Sequence, residues 1–180
     1  AKLFKIFSIN KMEESVIINK RLNKDDLLAK LIKSNIKINN YAKLIFDYPT
    51  FNYKNSENQI TIVQLKLSDL GFNTGATFEQ IERAMKSRKF DFCPLEFAPY
   101  IRMQIGSQKS SEIFTKNQHP PGSILIFSRP LIMDDNFPKG FYIRNIENTL
   151  WLRAYVCSED YLWNPETEII FKKKVHPFRS

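Results

Sequence analysis

The chain has 180 residues, 43% hydrophobic and 26% charged, with 27 Lys and Arg against 19 Asp and Glu, a net charge of +8 and a pI near 9.4. That balance suits one soluble globular domain over 1–180 and excludes a disordered, collagenous or coiled-coil chain. Cysteines at 93 and 157 and histidines at 119 and 176 make neither a disulfide framework nor a zinc site by spacing, so no metal and no cofactor is expected.

Leu3 to Ile9 alternates with Lys5 and Ser8 and predicts a short strand. Lys5 also interrupts the apolar run, which therefore does not read as a signal peptide, and no stretch approaches the ~18 apolar residues of a membrane span. A cytoplasmic location is expected, and export by a route that needs no apolar leader is compatible with the same residues. Two helices follow. Asn23 caps the first, with Asp25 and Asp26 at its positive end and a stripe of Leu27, Leu28, Leu31 and Ile32. Asn39 or Asn40 caps the second, with a stripe of Tyr41, Leu44, Ile45 and Tyr48, and Pro49 stops it. The short link from Ser34 to Ile38 predicts a helical hairpin. Read as a DNA-reading helix-turn-helix, its second helix offers Tyr41, Lys43, Phe46 and Asp47, which is poor in base-reading side chains.

Residues 50–58 form a polar loop, and Ile60 to Leu67 alternates as a strand. Leu70 to Thr77 is a glycine-containing turn into a helix whose capping box is Thr77 with Gln80. Phe78, Ile81, Ala84 and Met85 make its buried face, and Glu79–Arg83 and Glu82–Lys86 pair on the wet side. Beyond residue 90 the pattern turns to β. Strands are expected at 100–105, 123–127, 141–146, 150–156 and 169–173, with a hairpin turn at Glu147-Asn148 and loops at 106–122 and 132–140. The order gives an α+β fold, with an N-terminal helical hairpin (1–50) and one further helix packed on a mainly antiparallel sheet (60–171), then a basic tail.

If 100–105 is a strand, Tyr100, Arg102 and Gln104 share one face, with Glu96 just before them. Such a set suits binding a phosphate or carboxylate through Arg102, or proton transfer by Glu96; the same residues also suit an ion pair that fixes a loop. Adding His119 would supply the base, clamp and acid of a metal-independent RNase or phosphodiesterase, so Glu96, Arg102 and His119 are the candidate catalytic residues. Cys93 before Pro94 is a candidate nucleophile if it caps a helix, and otherwise a small core residue. Trp151, Arg153 and Tyr155 fall on one strand face opposite Leu150, Leu152 and Ala154. That means either a core on both sides of the sheet or an aromatic–arginine face for a partner. Lys172, Lys173, Lys174 and Arg179, with no acid among the last nine residues, hold half of the net charge and are the candidate nucleic-acid contacts.

The ordered set Leu67-Ser68-Asp69-Leu70-Gly71-Phe72 with Gly75-Ala76-Thr77, Cys93-Pro94-Leu95-Glu96, Pro99 with Arg102 and Gln104, Pro130-Leu131-Ile132, and Leu150-Trp151-Leu152 resembles a family of uncharacterised bacterial proteins. The chain departs from it in a longer loop at 106–122, which holds His119, and in the basic tail. The resemblance implies a bacterial origin and one compact domain, points to Glu96, Arg102 and Gln104 as the site, and supplies no reaction. The first expectation for function is a non-enzymatic binding or regulatory module that engages a protein partner. The second is a sequence-tolerant nucleic-acid-binding protein, and the third the small RNase or phosphodiesterase.

Overall fold

The computed structural model describes residues 12–51, 57–111 and 122–175. Its elements run β1 (Met12–Ile17), α1 (Lys24–Lys33), β2 (Lys37–Ile38), α2 (Asn40–Asp47), β3 (Gln59–Lys66), α3 (Phe78–Ser87), β4 (Phe90–Asp91), α4 (Ala98–Gln104), β5 (Ile124–Ile126), β6 (Gly140–Ile146), β7 (Thr149–Tyr155) and β8 (Glu168–Lys173). The strands form one eight-stranded sheet ordered β1-β3-β8-β5-β6-β7-β2, with β4 also paired to β8. Pairing is antiparallel except at β5–β8 and β7–β2. The α+β class and the mainly antiparallel sheet are as expected. The strand expected at residues 3–9 lies outside the described residues.

Both faces of the sheet carry a core, because each alternating set of β7 and β8 includes buried apolar or aromatic side chains, Leu152 and Ile170 on one face and Tyr155, Ile169 and Phe171 on the other. On one face Leu27 and Leu31 of α1, Ala42, Ile45 and Phe46 of α2, and Ile101 of α4 pack with Ile143, Leu152 and Ala154. On the other, Ile81 and Met85 of α3 and Trp163 cover Leu125, Tyr142, Tyr155, Ile169 and Phe171. Five phenylalanines (46, 97, 127, 141 and 171) are almost wholly buried, each worth roughly 1.5–3 kcal/mol of transfer free energy.

The N-terminal helical hairpin is not what forms. Asn35 takes the left-handed conformation (φ 57°) after α1, and Ile36 N–H reaches back to Leu31 O at 2.9 Å, a helix stop that an asparagine can occupy. The link then becomes a strand, β2, parallel to β7 with Lys37 beside Trp151, so α1 and α2 are laid separately on the sheet. The buried stripe of α2 is also shifted: Ala42, Ile45 and Phe46 are inside, whereas Tyr41 and Leu44 are exposed, as is Ile32 of α1. Two apolar stripes compete along α2, and Phe46, packed 5.5 Å from Phe141 and 5.7 Å from Phe51, decides between them.

Asn39 joins α2 to the sheet. Its Oδ1 accepts from Ala42 N–H and from Ala154 N–H, both at 2.9 Å, and its Nδ2 donates to Ala154 O at 3.0 Å. One side chain thus caps a helix and continues the β7 ladder. Asn39→Ala is expected to cost about 2–3 kcal/mol, one cap plus two backbone groups left unpaired. The urea midpoint measures it, and a loss below the ~1 kcal/mol of an ordinary cap would contradict the bridging role.

The capping box at Thr77 and Gln80 forms, with reciprocal hydrogen bonds of 2.9 and 3.3 Å, and Glu79–Arg83 and Glu82–Lys86 pair at 3.7 and 3.0 Å. Glu147 and Asn148 make the expected two-residue turn, both with positive φ (49° and 65°). Segment 100–105 does not form the expected strand. Pro99 lies in the first turn of a helix, where a missing N–H is harmless, and Ala98, Ile101 and Arg102 are buried at helical spacing. The alternation of 100, 102 and 104 against 101, 103 and 105 is coincident with that spacing.

Candidate functional site

The helical period of α4 separates the three residues that a strand would have aligned. Arg102 turns inward and is fully buried. Its Nη1 donates to Gln108 Oε1 at 2.6 Å and, at 3.4 Å each, to the carbonyls of Arg144 and Trp151 on β6 and β7; its Nη2 donates to Ile105 O. Gln108 extends the link, its Nε2 donating to Ile143 O at 2.9 Å and Gly122 O at 2.8 Å. Burial lowers the guanidinium pKa to about 10, so it stays charged at neutral pH. Arg102 therefore fastens α4 to the hairpin and has no surface from which to grip a ligand. Tyr100 and Gln104 point elsewhere. The Tyr100 hydroxyl accepts from Leu22 N–H at 3.4 Å, and Gln104 Nε2 donates to Ser15 O at 2.9 Å, latching α4 onto β1. Glu96 is half-buried in a 3-10 turn (Leu95–Phe97) and is not a hydrogen-bond partner of Arg102, so neither the expected site nor the expected Arg–Glu pair is assembled. His119 lies outside the described residues.

Cys93 is buried, and desolvation drives its pKa far up, the opposite of an activated thiolate. It follows β4 and donates its N–H to Phe127 O at 2.8 Å, as a core residue. The basic tail is altered too. Lys172 and Lys173 belong to β8, where Lys172 pairs with Glu57 and Lys173 with Glu13 at 3.3 Å, leaving Lys174 exposed just beyond the strand. Arg179 lies outside the described residues.

The β6–β7 face is where charge and aromatic surface meet without neutralisation. The turn at 147–148 sets the register, placing Arg144 opposite Trp151, Tyr142 opposite Arg153 and Gly140 opposite Tyr155. Arg153 lies with its guanidinium carbon 4.9 Å from the Trp151 ring centroid, and its Nε donates to the Tyr142 hydroxyl at 2.8 Å. Lys37 on β2 holds its Nζ 5.6 Å from the same indole. Trp151 and Arg153 are half-buried and Lys37 is exposed. No carboxylate of the described residues is within ion-pair distance of Lys37 or Arg153. Beneath them Arg144 is buried; its pKa is lowered by desolvation, with Tyr142 opposing and Arg153 adding to the fall.

Tyr155 leaves the expected set. Its ring packs edge-on to Trp163 at 5.2 Å, and its buried hydroxyl has no hydrogen-bond partner among the described residues, so it is core. The sheet is thus covered on two sides at Tyr155 and opens at Trp151 and Arg153. Lys37 and Arg144 were missed. The hairpin turn carried enough information to pair 142 and 144 with 153 and 151, whereas nothing in Ser34–Ile38 announced a parallel strand.

Among the described residues no group of three His, Cys, Asp or Glu is placed to hold a metal ion, and no helix is long and apolar enough to cross a membrane. No family model, curated protein or solved structure matches the chain.

Proposed function

We propose that the chain is a non-enzymatic binding module that engages an acidic segment of a protein partner across Lys37, Trp151, Arg153 and Tyr142. The observation that carries this reading is a half-buried indole flanked by two cations that no carboxylate of the described residues neutralises. Trp, Tyr and Arg are the side chains that most often anchor interfaces, the two aromatics by large area at small entropic cost and Arg by its planar fork of donors. A carboxylate would meet Arg153 and Lys37, and an adjoining apolar side chain would cover Trp151. The occupation of Arg102 by backbone carbonyls and the sealed thiol of Cys93 support a binding role over catalysis.

A protein partner is preferred to a nucleic acid because the cations do not form a continuous track. Lys172 and Lys173 are paired with acids, and β5 and β6 stand between them and β7. The test uses fluorescence, since Trp163 is 3% exposed and Trp151 is the indole open to a partner. Titration with a glutamate–tyrosine copolymer at about 0.15 M salt is expected to change Trp151 emission, while a single-stranded oligodeoxynucleotide leaves it unchanged. Tighter binding of the oligonucleotide, with affinity falling steeply in salt, would replace the reading with the nucleic-acid one. No response to either polymer would overturn both.

A further inference from the structure

Beside the N-terminal half of α3 lies a cavity of about 440 Å³, within the size range of small-molecule sites. It is separate from the Trp151 face and shares no residue with it. Phe78 and Phe92 wall it, their rings near-parallel (21°) at 6.4 Å, with Phe127 behind both at 4.5 and 5.2 Å. Its charged groups are segregated by element. Both cations, Arg129 and Lys139, come from the stretch between β5 and β6 and the residue that precedes β6; the acids, Glu79, Glu82 and Glu159, come from α3 and the segment after β7.

The two cations are under-used. Lys139 is buried, and its ammonium makes only long contacts, 3.3 Å to Asp134 O and 3.6 Å to Asp135 Oδ1. A lysine held out of water with so little compensation has donor capacity to spare. Arg129 lies with its guanidinium carbon 5.0 Å from the Phe92 ring centroid and has no carboxylate among the described residues within ion-pair distance. Of the acids, Glu82 and Glu79 are held by surface pairs with Lys86 and Arg83 along their own helix. Such pairs are weak and readily exchanged for another cation. Cys157 lines the floor as a neutral thiol.

We propose that this cavity binds a small zwitterion with an apolar body, of the class of aromatic α-amino acids. The carboxylate faces Arg129 and Lys139, the ammonium faces Glu82 and Glu159, and the apolar body lies against Phe78 and Phe92. A ligand with an apolar body, one anionic and one cationic group meets the phenylalanines, both cations and two of the three glutamates that line the cavity, while Glu79 keeps its pair with Arg83. A simple anion would leave the three glutamates opposed to it, and a simple cation would meet Arg129 and Lys139.

The test is calorimetric titration of the full chain with L-phenylalanine, 3-phenylpropionate and phenethylamine, which share the phenyl body and differ in charge. Phenylalanine is expected to bind at least tenfold more tightly than either of the others. Arg129→Ala and Glu82→Gln change exposed or partly exposed side chains outside the core and are each expected to weaken phenylalanine about tenfold, one charge-assisted hydrogen bond apiece. Each variant should also erase the preference over the one analogue that lacks the matching charge. Binding of 3-phenylpropionate as tight as phenylalanine would overturn the zwitterion assignment, as would phenylalanine affinity unchanged in both variants. Heat from none of the three ligands at millimolar concentration would overturn the site itself.

Discussion

Arg102→Ala is expected to lower the free energy of unfolding by about 3–5 kcal/mol, the range for removing a buried charged group together with its volume. The guanidinium is fully buried and reaches the carbonyls of Ile105, Arg144 and Trp151 as well as Gln108. Truncation leaves those acceptors facing a void, and each unsatisfied buried acceptor costs about 1–3 kcal/mol before the cavity is counted. Arg102→Met refills most of the volume without burying a charge and is expected to recover part of the loss. Urea denaturation of the three proteins measures both effects. If Arg102 were a ligand clamp, alanine would leave stability intact, because binding residues are seldom what holds a fold together; an unchanged midpoint would make it a site candidate again.

Gly75→Ala carries the second large effect, about 3 kcal/mol, and Gly71→Ala only about 1 kcal/mol. Both glycines have positive φ, +112° and +92°. They differ in surroundings. A Cβ on Gly75 would sit 2.9 Å from Trp163 O, whereas one on Gly71 would meet nothing within 4 Å. The atom struck is backbone, and it is the acceptor for Ala76 N–H in the bridge between Ala76 and Trp163, whose two hydrogen bonds measure 3.1 and 2.8 Å. The chain must either break that bridge or displace the segment that covers Tyr155. Thermal unfolding of the two variants side by side gives the comparison, and equal destabilisation would contradict the account of the turn.

Elements with a local signal were legible in the sequence. The capping box at Thr77, the Glu147-Asn148 turn and the alternation of residues 60–66, 141–146 and 150–155 each encode their conformation within a few residues. What escaped depends on distant partners. β1 is a polar edge strand, with Glu13, Glu14 and Ser15 exposed, and only its pairing with β3 makes it a strand. β2 and β4 are two residues each and exist because β7 and β8 offer free ladder positions. At 98–104 two periodicities coexist, and the burial of Ile101 and Arg102 under the β6–β7 hairpin selects the helix.

The candidate site followed the same division. Trp151 and Arg153 were legible because a strand fixes which side chains share a face. Their exposure was not, since Tyr155, two residues further along the same face, is core. The register of β6 supplies Tyr142 and Arg144, and a long-range parallel pairing supplies Lys37. Arg102 misled because an arginine among apolar residues looks alike whether it faces a ligand or a set of carbonyls. Only the hydrogen-bond partners separate the two.

The most direct test of the binding face is the affinity of the glutamate–tyrosine copolymer for a Lys37→Ala, Arg153→Ala double variant, read by Trp151 emission alongside the urea midpoint. The account predicts affinity at least tenfold weaker, because each cation would otherwise donate a charge-assisted hydrogen bond to the copolymer. Stability should fall by no more than about 1 kcal/mol, since both side chains are exposed or half-buried and hold no ion pair among the described residues. Unchanged affinity in a folded double variant would contradict it.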